Sequence, residues 1–159
     1  MMDREAFAAR GAACERKLYR VARTMLRSDA DCEDAVQEAL MRAWKNRDSL
    51  REHRYFDTWL VRILINECRN LHRRKPATVP LEVAEATPVP EAEGSAALTA
   101  LDGLSEKLRL AMVLHYVEGY SVGEIAKLLR IPAGTVKWRL HQGRRQLRER
   151  MEREDERRE

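Results

Sequence analysis

SVGEIAKLLRIPAGTVKWRLHQGRRQLRER, residues 121–150, decides the fold. Ser121 followed three residues later by Glu124 makes a capping box, in which each side chain satisfies a backbone N–H that a first helical turn leaves unpaired. A helix therefore begins there, and Ile125, Ala126 and Leu129 fall on one of its faces. Ile131 anchors a turn, and Pro132 holds that turn extended while presetting φ for the first position of a second helix. Val136, Leu140 and Leu147 form the buried stripe of this second helix, which turns Lys137, Trp138, His141 and Arg145 outward. Two helices joined this way are a helix-turn-helix, whose second helix enters a DNA major groove. Between residues 130 and 150 stand Arg130, Lys137, Arg139, Arg144, Arg145, Arg148 and Arg150 against the single acid Glu149, a balance suited to phosphates.

Outward from this stretch, composition bounds the rest. The 159 residues are 44% hydrophobic and 35% charged, enough for one good core or two small ones. Ala, Leu, Arg and Glu dominate, so an all-α chain with almost no β-structure is expected. No run of eighteen apolar residues exists, and Asp3, Arg4 and Glu5 interrupt the N-terminus before a signal-peptide core forms. A cytoplasmic protein without membrane insertion is expected. Cys14, Cys32 and Cys68 are dispersed and odd in number, which argues against a disulfide framework. Cys68 and His72 are spaced i, i+4, but no further ligand clusters with them, so no metal and no cofactor is expected.

Four of the five prolines, Pro76, Pro80, Pro88 and Pro90, fall within fifteen residues that also carry acids. Residues 76–97 thus read as a flexible acidic linker with net charge −4, between a module of +5 (residues 1–75) and one of +3 (residues 98–159). The second module is expected to span residues 98–153 as four helices, followed by a charged tail over 154–159. In the first module, helical spacing predicts three helices. Phe7, Cys14, Leu18, Val21 and Met25 mark the first, and Ala35, Val36, Ala39, Leu40, Ala43 and Trp44 the second. The third is marked by Phe56, Trp59, Leu60, Ile63, Leu64 and Leu71. The second helix opens with acids suited to a helix N-terminus, and Gln37 and Glu38 continue an acidic face fitted to a basic protein partner. Capping and solubility alone would account for those acids equally well. Arg62, Asn66, Arg69 and Arg73 line one polar face of the third helix, and Tyr55 is the ring expected to stand exposed before it.

Three ordered motifs give the chain a family likeness: DCEDAVQEALMRAW (31–44), WLVRILINECRNLHRR (59–74) and EIAKLLRIPAGTVKWRLHQGRRQLR (124–148). On these it resembles the bacterial extracytoplasmic-function (ECF) sigma factors of the compact two-domain type. The resemblance implies a three-helix region 2 that docks on core RNA polymerase through Asp34, Gln37 and Glu38. It implies contact with the −10 promoter element through Asn46, Arg47, Tyr55, Arg62, Asn66, Arg69 and Arg73, with the loop over residues 46–54 holding a flipped base. It implies a region 4 that meets the −35 element through Thr135, Lys137, Trp138, Arg139 and Arg144. An anti-sigma factor is the further partner implied, with no small-molecule substrate and no catalysis.

Three departures stand out. Arg130 replaces the family's turn glycine, and a left-handed backbone costs a non-glycine residue roughly 1 kcal/mol, which predicts a slightly different turn. Trp138 replaces a small polar residue, leaving three roles open: meeting a thymine methyl, stacking on a partner protein, or folding back onto its own module. Ser105 replaces a proline and is expected to start its helix as an N-cap. The competing function is a conventional helix-turn-helix regulator with a helical dimerisation or sensing domain, which predicts a symmetric footprint over two half-sites. A helical enzyme is disfavoured because no paired carboxylates, metal-binding helix motif or phosphate loop appears.

Overall fold

The computed structural model describes residues 2–74 and 100–158. Lys75 and the linker expected over residues 76–97 lie outside the described residues. Every regular element among the described residues is helical, in two compact units.

The first unit holds α1 (Arg4–Met25), α2 (Asp29–Lys45) and α3 (Phe56–Arg74). Polar residues set the starts. Asp3 accepts from the Ala6 N–H at 2.7 Å and Ser28 accepts from the Asp31 N–H at 3.1 Å, each satisfying an orphan donor of its first turn. All three helices pack on one another, burying Leu18, Val21, Ala22, Ala35, Ala39, Ala43, Leu60, Val61, Leu64 and Ile65. The alanine stripe of α2 lets its neighbours approach closely. At one end Phe7 meets the edges of Trp44 and Phe56, at centroid distances of 5.2 and 5.6 Å, an arrangement favoured by the ring quadrupoles. Phe56 is thus core, and Tyr55 is the exposed ring, as the apolar spacing predicted. Two short 3-10 turns, Arg47–Ser49 and His53–Tyr55, carry the chain from α2 to α3.

The second unit holds α4 (Glu106–Met112), α5 (Val122–Leu129) and α6 (Ala133–Arg158). Of the first of the four helices expected here, Ala100 and Leu101 are described and are helical. Ser105 does take the N-cap position of α4, but its side chain makes no capping hydrogen bond; its carbonyl accepts from the Arg109 N–H at 2.9 Å. Beyond Met112 the helix loosens into a π turn over Val113–Val117, with the Glu118 N–H reaching back five residues to the Val113 carbonyl. His115 Nδ1 then donates to the Tyr120 carbonyl at 2.8 Å, and Gly119 supplies the positive φ that reverses the chain.

The capping box forms in both directions between Ser121 and Glu124. Arg130 then adopts the left-handed conformation (φ 56°, ψ 48°). The turn is therefore the glycine-type turn and not an altered one: the Arg130 and Ile131 N–H groups both reach the Ala126 carbonyl, closing the helix end. The gain from those bonds and from burying Leu128 and Leu129 outweighs the local strain. Val136 and Leu140 are buried as expected, whereas Leu147 is only half-buried. At Gly143 a Cβ would stand 2.7 Å from Met112 Cγ, so the absence of a side chain lets α6 press against α4. The helix does not stop near residue 153 but continues through Arg158.

Candidate nucleic-acid interface

Three helix faces collect the residues singled out by the sequence. On α6 the outward stripe is present: Lys137, Trp138, His141 and Arg145 are all exposed. Trp138 is 60% exposed, unusual for the largest side chain of all. Thr135 and Arg139 flank this stripe and are half-buried. Arg144 is exposed but held, donating to the Tyr116 hydroxyl at 2.9 Å, and Arg145 pairs with Glu149 one turn on at 3.3 Å. Exposed pairs of this kind contribute little to stability, so both cations are available to phosphates at small cost.

On α3, Asn66 and Arg73 are exposed while Arg62 and Arg69 are half-buried, all on one side of the helix. Arg73 donates to Asn70 Oδ1, which steadies the last turn. Tyr55, 52% exposed, carries the Arg54 guanidinium over its ring at 4.7 Å. Asn46 and Arg47 lie at the end of α2. Asn46 Nδ2 donates to the Arg42 carbonyl at 2.9 Å, and Arg47 donates to the Trp44 carbonyl at 2.8 Å while lying 3.9 Å from the centre of the Trp44 ring. Both close the C-terminal end of α2.

On α2, Asp34, Gln37 and Glu38 are exposed on one face, and Met41, 53% exposed, completes it at the next turn. Sequence reasoning passed over Met41, although its position outside the stripe Ala35, Val36, Ala39, Ala43 was a readable signal. It also missed Arg42 and Glu67. The Glu67 carboxylate is buried in α3 and ion-pairs with Arg42, which also reaches Glu38 at 3.5 Å. A charge on an apolar face of α3 required a partner; which one is decided by the packing of α2 on α3.

Two of the three cysteines are held as thiols. Burial, then the hydrogen bond to Asp57 at 3.2 Å, pushes the Cys14 thiol up to about 12, and burial pushes Cys32 up to about 11. Neither forms the nucleophilic thiolate. Cys68 is buried in the same core.

Comparison with known proteins assigns this arrangement. Sigma-70 region 2 matches residues 12–78 and Sigma-70, region 4 matches residues 95–147. The chain is 33% identical to the ECF RNA polymerase sigma factor SigW of Bacillus subtilis, over 94% of this chain and 90% of that protein. It belongs to the ECF RNA polymerase sigma factors.

Among solved structures, CnrH in complex with the cytosolic domain of CnrY is similar at TM-score 0.67 and 27% identity, covering 94% of this chain and 90% of that one. The fold is also that of the sigma factor RpoE in complex with the anti-sigma factor NepR from Bartonella quintana, at TM-score 0.69, 24% identity and coverage of 92% and 96%. In this sigma factor the region 2 match takes in the acidic face of α2 and the polar face of α3 together. The region 4 match takes in the helix-turn-helix and ends at residue 147, so the last eleven residues of α6 extend past it.

Proposed function

We infer that this sigma factor binds core RNA polymerase and directs it to promoters, choosing two unlike DNA elements and opening the duplex at the downstream one. The observation that carries this is the pair of exposed helix faces of opposite character in successive units: acids on α2, cations on α6. Acids repel phosphates, so the α2 face is fitted to a protein, and Asp34, Gln37 and Glu38 are the groups assigned to the polymerase, with Met41 adding an apolar anchor among them.

The −10 element falls to the Tyr55 ring and to Arg62, Asn66, Arg69 and Arg73 on α3. Asn46 and Arg47 are assigned to the same element from the end of α2, where each has only part of its side-chain hydrogen-bonding capacity engaged. Strand opening needs no nucleotide hydrolysis, because holding an unstacked base offsets an unpairing cost of a few kcal/mol. The −35 element falls to Thr135, Lys137, Trp138, Arg139 and Arg144. An anti-sigma factor that covers these surfaces is the regulatory partner we assign.

Footprinting with and without core polymerase tests the function. The expected pattern is weak or absent protection by the free protein, and two dissimilar protected elements with the holoenzyme. Symmetric protection over two half-sites by the protein alone contradicts it and favours a conventional regulator.

A further inference from the structure

We propose that Trp138 is a specificity-determining residue of α6 that reads the C5-methyl group of one thymine in the upstream promoter element, an inference that rests on the assignment of α6 to that element. Of the three roles its sequence position leaves open, folding back onto the module is removed by its surroundings. The side chain is 60% exposed. At Gly134, one turn earlier on the same face, no atom comes within 4 Å of where a Cβ would stand, so the indole does not lie down over the first turn.

It therefore stands off the helix at the sixth residue of α6, within the N-terminal part that meets base edges when such a helix docks. Gly134 presents no bulk beside it, so the groove can come close to the helix there. Lys137, His141 and Arg145 share its stripe, and Arg139 and Arg144 stand at its sides. This cationic surround fits a phosphate-lined groove better than a protein surface, which decides between the two remaining roles.

Within a major groove, guanine, cytosine and adenine edges present donors and acceptors, and only thymine presents a methyl. A large apolar ring desolvates polar edges without satisfying them, and gains when it covers a methyl. Specificity at this position thus follows from the indole's lack of hydrogen-bonding partners for the other bases along most of its surface. Removal of one buried methyl corresponds to about a 4-fold loss of affinity.

The test uses holoenzyme assembled from the full chain and core polymerase, on promoters first located by run-off transcription from host genomic fragments. Each thymine of the upstream element is replaced in turn by deoxyuridine, which deletes the methyl alone. The expected result is a roughly 3- to 5-fold loss of promoter binding at a single thymine and no loss elsewhere. With Trp138→Ala, that one sensitivity disappears while all other base preferences persist. Replacing the same thymine by cytosine and then by 5-methylcytosine returns part of the binding for the natural protein and none for Trp138→Ala. Indifference to every deoxyuridine overturns the proposal, as does a methyl sensitivity that Trp138→Ala leaves intact. A holoenzyme that protects no upstream element at all overturns the assignment of α6 itself, a different outcome from either. Trp138 is exposed, so the variant folds, and circular dichroism confirms it before binding is measured.

Discussion

The exposed faces of α2 and α6 are built alike and charged oppositely. Each is a polar stripe at three- and four-residue spacing with one large apolar side chain standing in it, Met41 among Asp34, Gln37 and Glu38, and Trp138 among Lys137, His141 and Arg145. Their difference lies in sign and in support. The acidic face is tied into its core: Glu38 reaches Arg42, and Arg42 pairs with buried Glu67 on α3. On the basic face the ties are lighter: Arg144 donates to the Tyr116 hydroxyl at its side, and Arg145 pairs with Glu149 one turn on along the same helix. A fixed acidic surface suits a specific protein contact, where geometry must be held; loosely held cations suit a polyanion, where charge does most of the binding.

The contrast breaks most sharply at α2. Changing Asp34, Gln37 and Glu38 together to Ala is expected to weaken association with core polymerase by more than about 100-fold, roughly 3 kcal/mol, as loss of a central cluster does. The measurement is a pull-down or surface-binding titration, with the thermal melt of the second unit unchanged. Association at the original strength would place the docking surface elsewhere.

The support beneath that face is the next point to probe. Arg42→Ala leaves the Glu67 carboxylate buried without its cation and is expected to destabilise the first unit by about 1 to 2 kcal/mol. The loss stays below that of a fully buried pair because Arg42 is itself half in water. Denaturant unfolding reads it, and the double change Arg42→Ala with Glu67→Leu should recover part of the loss. An unaltered midpoint for Arg42→Ala would mean that the pair does not hold α2 to α3.

At the basic face the effect is smaller and depends on salt. Lys137→Ala with Arg145→Ala is expected to weaken holoenzyme binding to promoter DNA by about 5- to 10-fold at low ionic strength. The slope of log affinity against log salt should flatten by about 1.8 if each cation neutralises one phosphate. A uniform loss with an unchanged slope would show that these residues act otherwise than on phosphates.

The smallest effect is at the turn between α5 and α6. Arg130→Gly removes the left-handed strain of a residue with a Cβ but adds freedom to the unfolded chain, so a net stabilisation of the second unit below about 1 kcal/mol is expected. A lower melting temperature would show that the arginine side chain contributes more than its backbone costs.

Much of this was legible in the residues. The capping box, the stripe Val136 and Leu140, and the acids of α2 are local patterns, and local patterns carry helix starts, helix faces and charge. The family likeness rested on three such stretches in order. Features that depend on packing were not legible. The Arg42–Glu67 pair requires knowing how α2 lies on α3, and the engagement of Asn46 and Arg47 at the end of α2 requires the path of the chain after Lys45. The turn at Arg130 was misread in the other direction, because a propensity worth about 1 kcal/mol was set against burial of Leu128 and Leu129, which is worth more. The π turn at Val113–Val117 has no signature in the sequence that distinguishes it from ordinary helix.

One chain supplies both the grip on polymerase and the choice of promoter. Run-off transcription with purified core polymerase on host genomic fragments reads both at once. Addition of the purified protein should produce transcripts from defined start sites on a subset of fragments, absent with core enzyme alone, and the Asp34, Gln37 and Glu38 triple variant should produce none. Transcripts that remain random in position, or that core enzyme gives equally well without the protein, would contradict the account.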